Sequence, residues 1–204
     1  MTDLARTFRA MLGVAALCML AACAQPARVT QMVVPNVMAP VVAANPSLQG
    51  SLAVGDISGG QATNPLWTSQ VDNPEFKEAL EQSLQANAML APNATASRYV
   101  VAAQLRELKQ PLIGFDMQVT PRVAYKVVER ANQATVFEEE LTTPYTASFS
   151  AAFVAVERLR LANEGAIRES IKRFLERFTE TWISRTPGAT PARPVPMPAT
   201  TPSS

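Results

Sequence analysis

A stripe of side chains near the carboxyl end does most to limit how this chain can fold. From Phe149 to Ile183, mainly apolar residues recur every three or four positions, which is the spacing of one face of an α-helix. A helix of that length extends roughly 50 Å, so its apolar face needs a long surface to cover it. The stripe comprises Ala152, Phe153, Val156, Leu159, Asn163, Ala166, Ile167, Ser170, Ile171, Phe174, Phe178 and Trp182.

Strands are the expected partners of this helix. Apolar and polar residues alternate over 50–56, 99–106, 117–130 and 136–145, which is the pattern of strands with one buried face. The short turn Ala131-Asn132-Gln133 predicts that the last two strands pair as an antiparallel hairpin. Pro121 lies on the apolar face of the third strand and lacks an N–H, which indicates either an edge strand or a bulge.

A second amphipathic helix is expected between the first two strands. Asp72-Asn73-Pro74 has the form of a helix start, with a polar cap followed by proline. The helix should end near Leu90, before Pro92. The predicted order is therefore β-α-β-β-β-α. We expect an α+β fold, with a small antiparallel sheet of about four strands and both helices on one face.

Charged residues cover the side of the long helix opposite the stripe. Arg158, Arg160, Lys172 and Arg177 lie there, interleaved with glutamates. Two interpretations are a solvated face and a basic stripe that faces anionic lipid headgroups. The glutamates favour the solvated face, and Glu164 and Arg168 have the spacing of a helix ion pair.

Proline-rich segments flank the predicted domain, which spans 48–184. Residues 23–47 contain four prolines and a single charge, Arg28. They are predicted to form either a loose tether or an extended apolar segment laid over the domain. Residues 185–204 contain six prolines and are predicted to be a disordered tail.

The amino terminus has the features of an export signal. Arg6 and Arg9 precede an uncharged run, 10–22, that is too short to span a bilayer. A basic start, a short apolar run and small residues before a cut site are typical of a secretory signal peptide. We therefore predict that residues 1–22 are a signal peptide.

The end of that run carries a recognisable motif. Leu20-Ala21-Ala22-Cys23 resembles the lipobox of bacterial lipoproteins. The resemblance implies cleavage between Ala22 and Cys23, a diacylglycerol on the Cys23 sulfur, and a further acyl chain such as palmitate on the new amino group. Ala24 and Gln25 follow instead of Asp. The resemblance thus favours a periplasm-facing lipid anchor at the outer membrane over the inner membrane.

Composition narrows the chemistry. The chain has no histidine, and its two cysteines, Cys18 and Cys23, both lie near the amino terminus. Histidine is the commonest general base and metal ligand, so we expect no enzymatic activity, no cofactor and no metal. The formal net charge of +1 is carried by residues 1–22, which leaves the remainder neutral. A neutral chain has no electrostatic basis for binding nucleic acid.

Two features remain as candidate sites. The loop 111–116 is apolar and contains Leu112, Ile113 and Phe115. It is expected either to fold onto its own core or to form an exposed contact site for a partner or an acyl chain. Asn163 lies on the apolar stripe, where a buried amide must be hydrogen-bonded. Its expected role is structural, through a bond to a strand end or loop.

Three functions are compatible with these features. The first is a non-enzymatic accessory or assembly subunit, held at the membrane by lipid and bound to an envelope protein partner. The layout resembles, in architecture alone, small α+β lipoproteins of envelope transport and assembly systems. The second is a module that binds a lipid or another apolar ligand. The third, which the composition favours least, is an envelope hydrolase or transferase.

Overall fold

A computed structural model describes residues 24–64, 68–111 and 113–186. The predicted signal peptide, Cys23 and the tail beyond Thr186 therefore lie outside the described residues. The helices are α1 (Val29–Met32), α2 (Ala39–Ala44), α3 (Asn73–Ala86) and α4 (Ala155–Arg185). The strands are β1 (Leu52–Ser58), β2 (Tyr99–Lys109), β3 (Met117–Glu129), β4 (Thr135–Thr142) and β5 (Tyr145–Ala147).

The sheet confirms the predicted α+β class, but one pair of strands is parallel where an antiparallel sheet was predicted. Its order is β1-β2-β3-β4, and β5 also pairs with β3. The β2–β3 and β3–β4 pairs are antiparallel as expected, whereas β1 and β2 are parallel. The sheet is mixed because α3 carries the chain back across its face between β1 and β2, and such a crossover joins parallel strands.

Both long helices pack on the same face of the sheet, as predicted. Tyr125, in the middle of β3, is fully buried between them. Its ring stacks on Phe174 of α4 at a centroid distance of 4.5 Å, and meets Phe76 of α3 edge-on at 6.4 Å. The tyrosine hydroxyl is 3.0 Å from Ser170 Oγ, so the polar end of this buried ring is satisfied.

The start of the long helix was predicted wrongly. Helix α4 begins at Ala155, and Phe149–Ala151 form a separate 3₁₀ turn. The turn is held away from the helix because the Phe149 N–H donates to Asp116 at 2.8 Å. Arg158 then donates to the carbonyl oxygens of Ala152 and Phe153, which stabilises the non-helical segment. Phe153 is consequently outside the helix and exposed.

Pro121 does not mark an edge strand, because β3 lies inside the sheet. The register of β2 against β3 shifts between Leu105 and Glu107, next to the Leu108–Pro121 pair. On the other side, β4 ends opposite Arg122 and β5 begins opposite Val119, so Pro121 falls where one partner strand replaces the other. The bulge was the correct alternative, since a proline cannot donate to a continuous ladder.

The segment 24–48 packs against the rest of the domain, which agrees with the second of its two predicted alternatives, an apolar segment laid over the domain, rather than with a loose tether. Met32, Val34 and Leu48 are fully buried in the main core. The Val34 N–H donates to Ser83 Oγ at 2.9 Å. The backbone N–H groups of Val37 and Met38 both donate to the Asn87 side-chain oxygen. The prolines prevent a long helix but permit two short ones, which lets the segment follow the surface of α3 and α4.

Candidate functional site

The first described residues are held tightly against α4. Ala24 is only 5% exposed. The carbonyl oxygen of Gln25 accepts from Ser69 Oγ at 2.8 Å, and its side-chain oxygen accepts from Arg160 Nη1 at 2.6 Å. The residue that would carry the lipid, Cys23, thus precedes a chain position that is already fixed on the domain.

An ion pair with a buried carboxylate secures this segment at Arg28, three residues after Gln25. The Glu164 carboxylate, 1% exposed, accepts from the Arg28 backbone N–H at 2.9 Å. It also accepts from the Arg28 guanidinium through both oxygens, each at 3.0 Å. This hydrogen bonding to Glu164 raises the pKa of Arg28, although burial acts in the opposite direction. Bidentate charge-assisted bonds of this kind fix orientation as well as distance.

Two arginines of α4 are buried, which contradicts the predicted solvated face at these positions. Arg160 lies beneath the amino-terminal segment and pairs with Glu157, while its Nε is 3.7 Å from Glu164. Arg158 is turned toward the loop 113–116 and lies over the Phe149 ring, 4.9 Å from its centroid. Lys172 and Arg177 remain on the surface in ion pairs with glutamates. The spacing of residues in α4 did not predict that Arg158 and Arg160 are buried, because the segments that cover them come from other parts of the chain.

Asn163 is hydrogen-bonded to a loop, as a buried amide on this stripe requires. It is fully buried, and its amide group donates to the Ser69 carbonyl at 2.9 Å. Its carbonyl oxygen accepts from Gln110 Nε2 at 2.8 Å, and Gln110 also donates to the Ser69 carbonyl. Asn163 therefore ties α4 to the segment around Ser69, which holds Gln25, and to the start of the loop 111–116.

An apolar surface lies at the amino-terminal end of α4. We call it the aromatic surface, and it consists of Ile113, Phe115, Phe149, Phe153 and Val154. Ile113, Phe115 and Phe153 are 89%, 81% and 87% exposed. Phe149 meets Phe115 and Phe153 edge-on, at centroid distances of 6.0 and 6.1 Å. Exposed apolar groups that cluster in this way mark contact sites more often than scattered ones do.

The aromatic surface borders a shallow cavity of about 620 Å³. Its lining residues are Ile113, Gly114, Phe115, Met117, Phe149, Ala155 and Arg158. The predicted contact loop therefore has Ile113 and Phe115 at an exposed apolar site, while Leu112 lies outside the described residues. Phe149, Phe153 and Val154 were missed as site residues, because Phe153 fits the helical spacing of the stripe and was assigned to the core.

A second apolar cavity, of about 320 Å³, lies near the other end of α4. It is lined by Met38, Val41, Glu176, Thr179, Glu180, Ile183 and Ser184. Thr179 Oγ1 is buried and makes no hydrogen bond within the described part of the chain. This groove lies between α2 and the carboxyl-terminal turns of α4.

Two further properties concern the same described ranges. Within them, no helix has both the length and the apolar character needed to cross a bilayer. Among those residues, histidine, cysteine, aspartate and glutamate form no group of three or more that could hold a metal ion.

Comparison with known proteins shows the fold. No family model matches the chain, and no curated protein matches it. A crystal structure of a Xanthomonas campestris protein from the DUF330 family is similar, with a TM-score of 0.52, 17% identity, and coverage of 74% of this chain and 92% of that one. A candidate lipoprotein from Caulobacter crescentus is also similar, with a TM-score of 0.50, 12% identity, and coverage of 72% and 99%. The protein thus has a lipoprotein-like α+β fold.

Proposed function

We propose that this protein is a lipid-anchored envelope protein that acts as a non-enzymatic accessory subunit and holds its domain close to a membrane. The packing of the chain from Ala24 onward carries this proposal. A lipid on Cys23 is one residue from Ala24, and consecutive Cα atoms are 3.8 Å apart. An anchor so close to a rigid domain holds that domain at the bilayer surface rather than on a long tether.

The Arg28–Glu164 pair gives this anchor a fixed orientation. Bonds from both the backbone and the side chain of Arg28 converge on one buried carboxylate. The domain then presents one end to the membrane and the rest to the periplasm. The outer membrane is the proposed location, because the residues after Cys23 lack the aspartate that favours the inner membrane in the lipoproteins this motif resembles.

Metabolic labelling tests the anchor. Cells grown with a palmitate analogue should label the wild-type chain and the control variant Cys18→Ser, but not Cys23→Ser. Separation of inner and outer membranes should then place the labelled protein in the outer membrane. Label retained by Cys23→Ser would rule out the proposed anchor.

The accessory role is tested by purification of the lipidated chain from membranes after chemical crosslinking. Recovery of one envelope protein in a fixed ratio to the bait supports it. A bait that returns alone, with a bound lipid in place of a protein, supports the second function.

That second candidate is an apolar-ligand module, and one observation favours it. The cavity beside Met38 and Ile183 is apolar, and the Thr179 hydroxyl at its wall lacks a partner among the described residues. A ligand with an acyl chain and one polar group could fill such a groove. Lipid extraction and mass spectrometry of the two purified proteins test this candidate. Wild type should contain a bound lipid, and Thr179→Val should contain less of it.

A further inference from the structure

We propose that the aromatic surface inserts into the lipid headgroup region of the same bilayer that holds the acyl chains of Cys23. This proposal rests on the lipid anchor proposed above and adds a second membrane contact to it. The surface combines three strongly exposed side chains, those of Ile113, Phe115 and Phe153, with the partly exposed Phe149 and Val154.

The anchor and the aromatic surface lie at the same end of α4. Gln25, two residues from Cys23, is bonded to Arg160. The helix begins five residues earlier, at Ala155, which corresponds to about 7.5 Å along its axis. Phe153 and Val154 directly precede that helix start.

A second set of contacts leads from the anchor to the loop. Gln25 is bonded to Ser69, and the Ser69 carbonyl accepts from Gln110. Gln110 is three residues from Ile113, a span of at most about 10 Å in extended chain. The Gly114 carbonyl also lies 3.5 Å from Arg158 Nη2, so the loop is attached to the same turns of α4.

This short separation identifies the occupant as a membrane. Acyl chains on Cys23 bring the bilayer surface to Ala24, and the packed segment leaves no slack by which the domain could move away. The end of α4 must then lie within a few residues' reach of the headgroups. Exposed phenylalanines at that depth gain free energy by leaving water, as they do on interfacial helices.

The charges beside the surface indicate apolar rather than electrostatic attachment. Lys109, Arg158 and Arg160 are balanced in part by Asp116 and Glu157. Arg158 is buried against the Phe149 ring, and Arg160 is paired with Glu157. Insertion should therefore depend weakly on salt and on the content of anionic lipid.

A site-specific fluorescent label tests the insertion independently of natural lipidation. The chain from residue 23 onward, with Cys23→Ser, contains no cysteine and no histidine. An amino-terminal hexahistidine tag can thus attach it to vesicles that carry a nickel-chelating lipid. An environment-sensitive dye is placed at Phe115→Cys, and in a control at Asn132→Cys. Asn132 is an exposed turn residue that follows the end of β3, whereas Met117, next to the loop 111–116, begins that strand. Asn132 is therefore remote from the aromatic surface.

The expected result is a blue shift and protection from iodide quenching at position 115 but not at position 132. It should be the same on phosphatidylcholine vesicles and on vesicles with equal parts of phosphatidylglycerol. Phe153→Ser in the labelled chain should weaken insertion about tenfold, since a buried phenylalanine contributes more than the free energy of one decade in affinity.

Three results would overturn the proposal: a dye at 115 that stays in water, equal protection at both positions, or loss of insertion at high salt. A photocrosslinker at Phe115 that yields one discrete protein adduct in cells would also overturn it, in favour of a protein partner. Because the tag replaces the lipid, failure here is distinct from loss of palmitate labelling, which tests the anchor alone.

Discussion

Arg28 and Glu164 are 136 positions apart in the chain and form three hydrogen bonds with each other. The Glu164 side chain is almost completely buried, whereas the Arg28 side chain is 45% exposed. The pair connects the start of the domain to its longest helix. It therefore determines both how stably the amino-terminal segment is attached and how the domain is oriented relative to the anchor.

Arg28→Ala should lower the free energy of unfolding by about 2 kcal/mol. Loss of the partner leaves a buried carboxylate poorly compensated, and such losses reach about 3–5 kcal/mol for fully buried pairs. The expected value is smaller because Arg28 is partly exposed and screened by solvent. Urea denaturation of the chain from residue 23 onward provides the measurement.

Arg173→Ala is the matched control for this change. Arg173 pairs with Glu176 at 3.4 Å on the surface of the same helix, and its side chain is 58% exposed. Its removal should cost less than about 0.5 kcal/mol. Equal losses for the two variants would show that the Arg28 pair has no special structural role.

Gly165→Ala should destabilise the protein although alanine favours helices. A Cβ at Gly165 would lie 2.2 Å from Cε1 and 2.4 Å from Cδ1 of Tyr145, which crosses the helix from β5. The usual gain of about 1 kcal/mol for this change in a helix should be replaced by a loss of about 1–3 kcal/mol from overpacking.

The pairing of Gly165 with Tyr145 can be tested by a double-mutant cycle. If the clash is the cause, Tyr145→Ala should relieve it, so the double variant should lose less stability than the sum of the two single changes. Additive losses of stability would show that Gly165→Ala does not act through contact with Tyr145. Thermal unfolding of the four proteins is sufficient.

Tyr125→Phe should alter the dependence of stability on alkaline pH. Burial raises the pKa of the Tyr125 hydroxyl far above its ordinary value, while the bond to Ser170 acts in the opposite direction. The folded chain thus holds this proton more tightly than the unfolded chain, in which the pKa is about 10. Its contribution is complete below that pH and is lost as pH rises above it.

At neutral pH, Tyr125→Phe should cost about 1 kcal/mol, because the hydrogen bond with Ser170 is lost. Above about pH 10 the gap between wild type and variant should narrow, since the variant has no phenol to ionise. Urea midpoints across this range measure the change. A gap that stays constant with pH would contradict the prediction.

Asn163→Ala should cost about 1–3 kcal/mol, since it removes hydrogen bonds from the buried groups of Ser69 and Gln110. Gln82→Ala is a suitable control. Gln82 makes one solvent-exposed bond to Glu78 on α3, and its loss should change stability by less than about 0.5 kcal/mol. Hydrogen exchange around Ser69 should accelerate in Asn163→Ala alone.

Local pattern was enough to predict the elements and their arrangement in layers. The alternation along β2 and β3 identified the buried residues Val101, Val123 and Tyr125, because a strand shows its two faces to different environments whatever lies beyond them. The polar cap at Asp72 located the start of α3 for a similarly local reason, and the structure contains the full capping box with Glu75.

The candidate site depended on contacts between distant parts of the chain. The position of Ile113 and Phe115 in an apolar loop suggested a contact surface but left open whether the loop folded inward. Phe149 and Phe153 belong to this surface only because α4 starts at Ala155. That start depends on the hydrogen bond between Phe149 and Asp116, which are 33 residues apart. No periodicity within one segment contains that information.

The sequence by itself determined the α+β class, the long carboxyl-terminal helix and the likeness of 20–23 to a lipobox, because propensity, periodicity and short motifs act over a few residues. Tertiary structure alone decided that β1 runs parallel to β2, that 24–48 packs on the domain and that Glu164 pairs with Arg28 rather than with Arg168. Each of these depends on which distant surface covers a given side chain, and burial of an apolar or charged group is a property of both surfaces together.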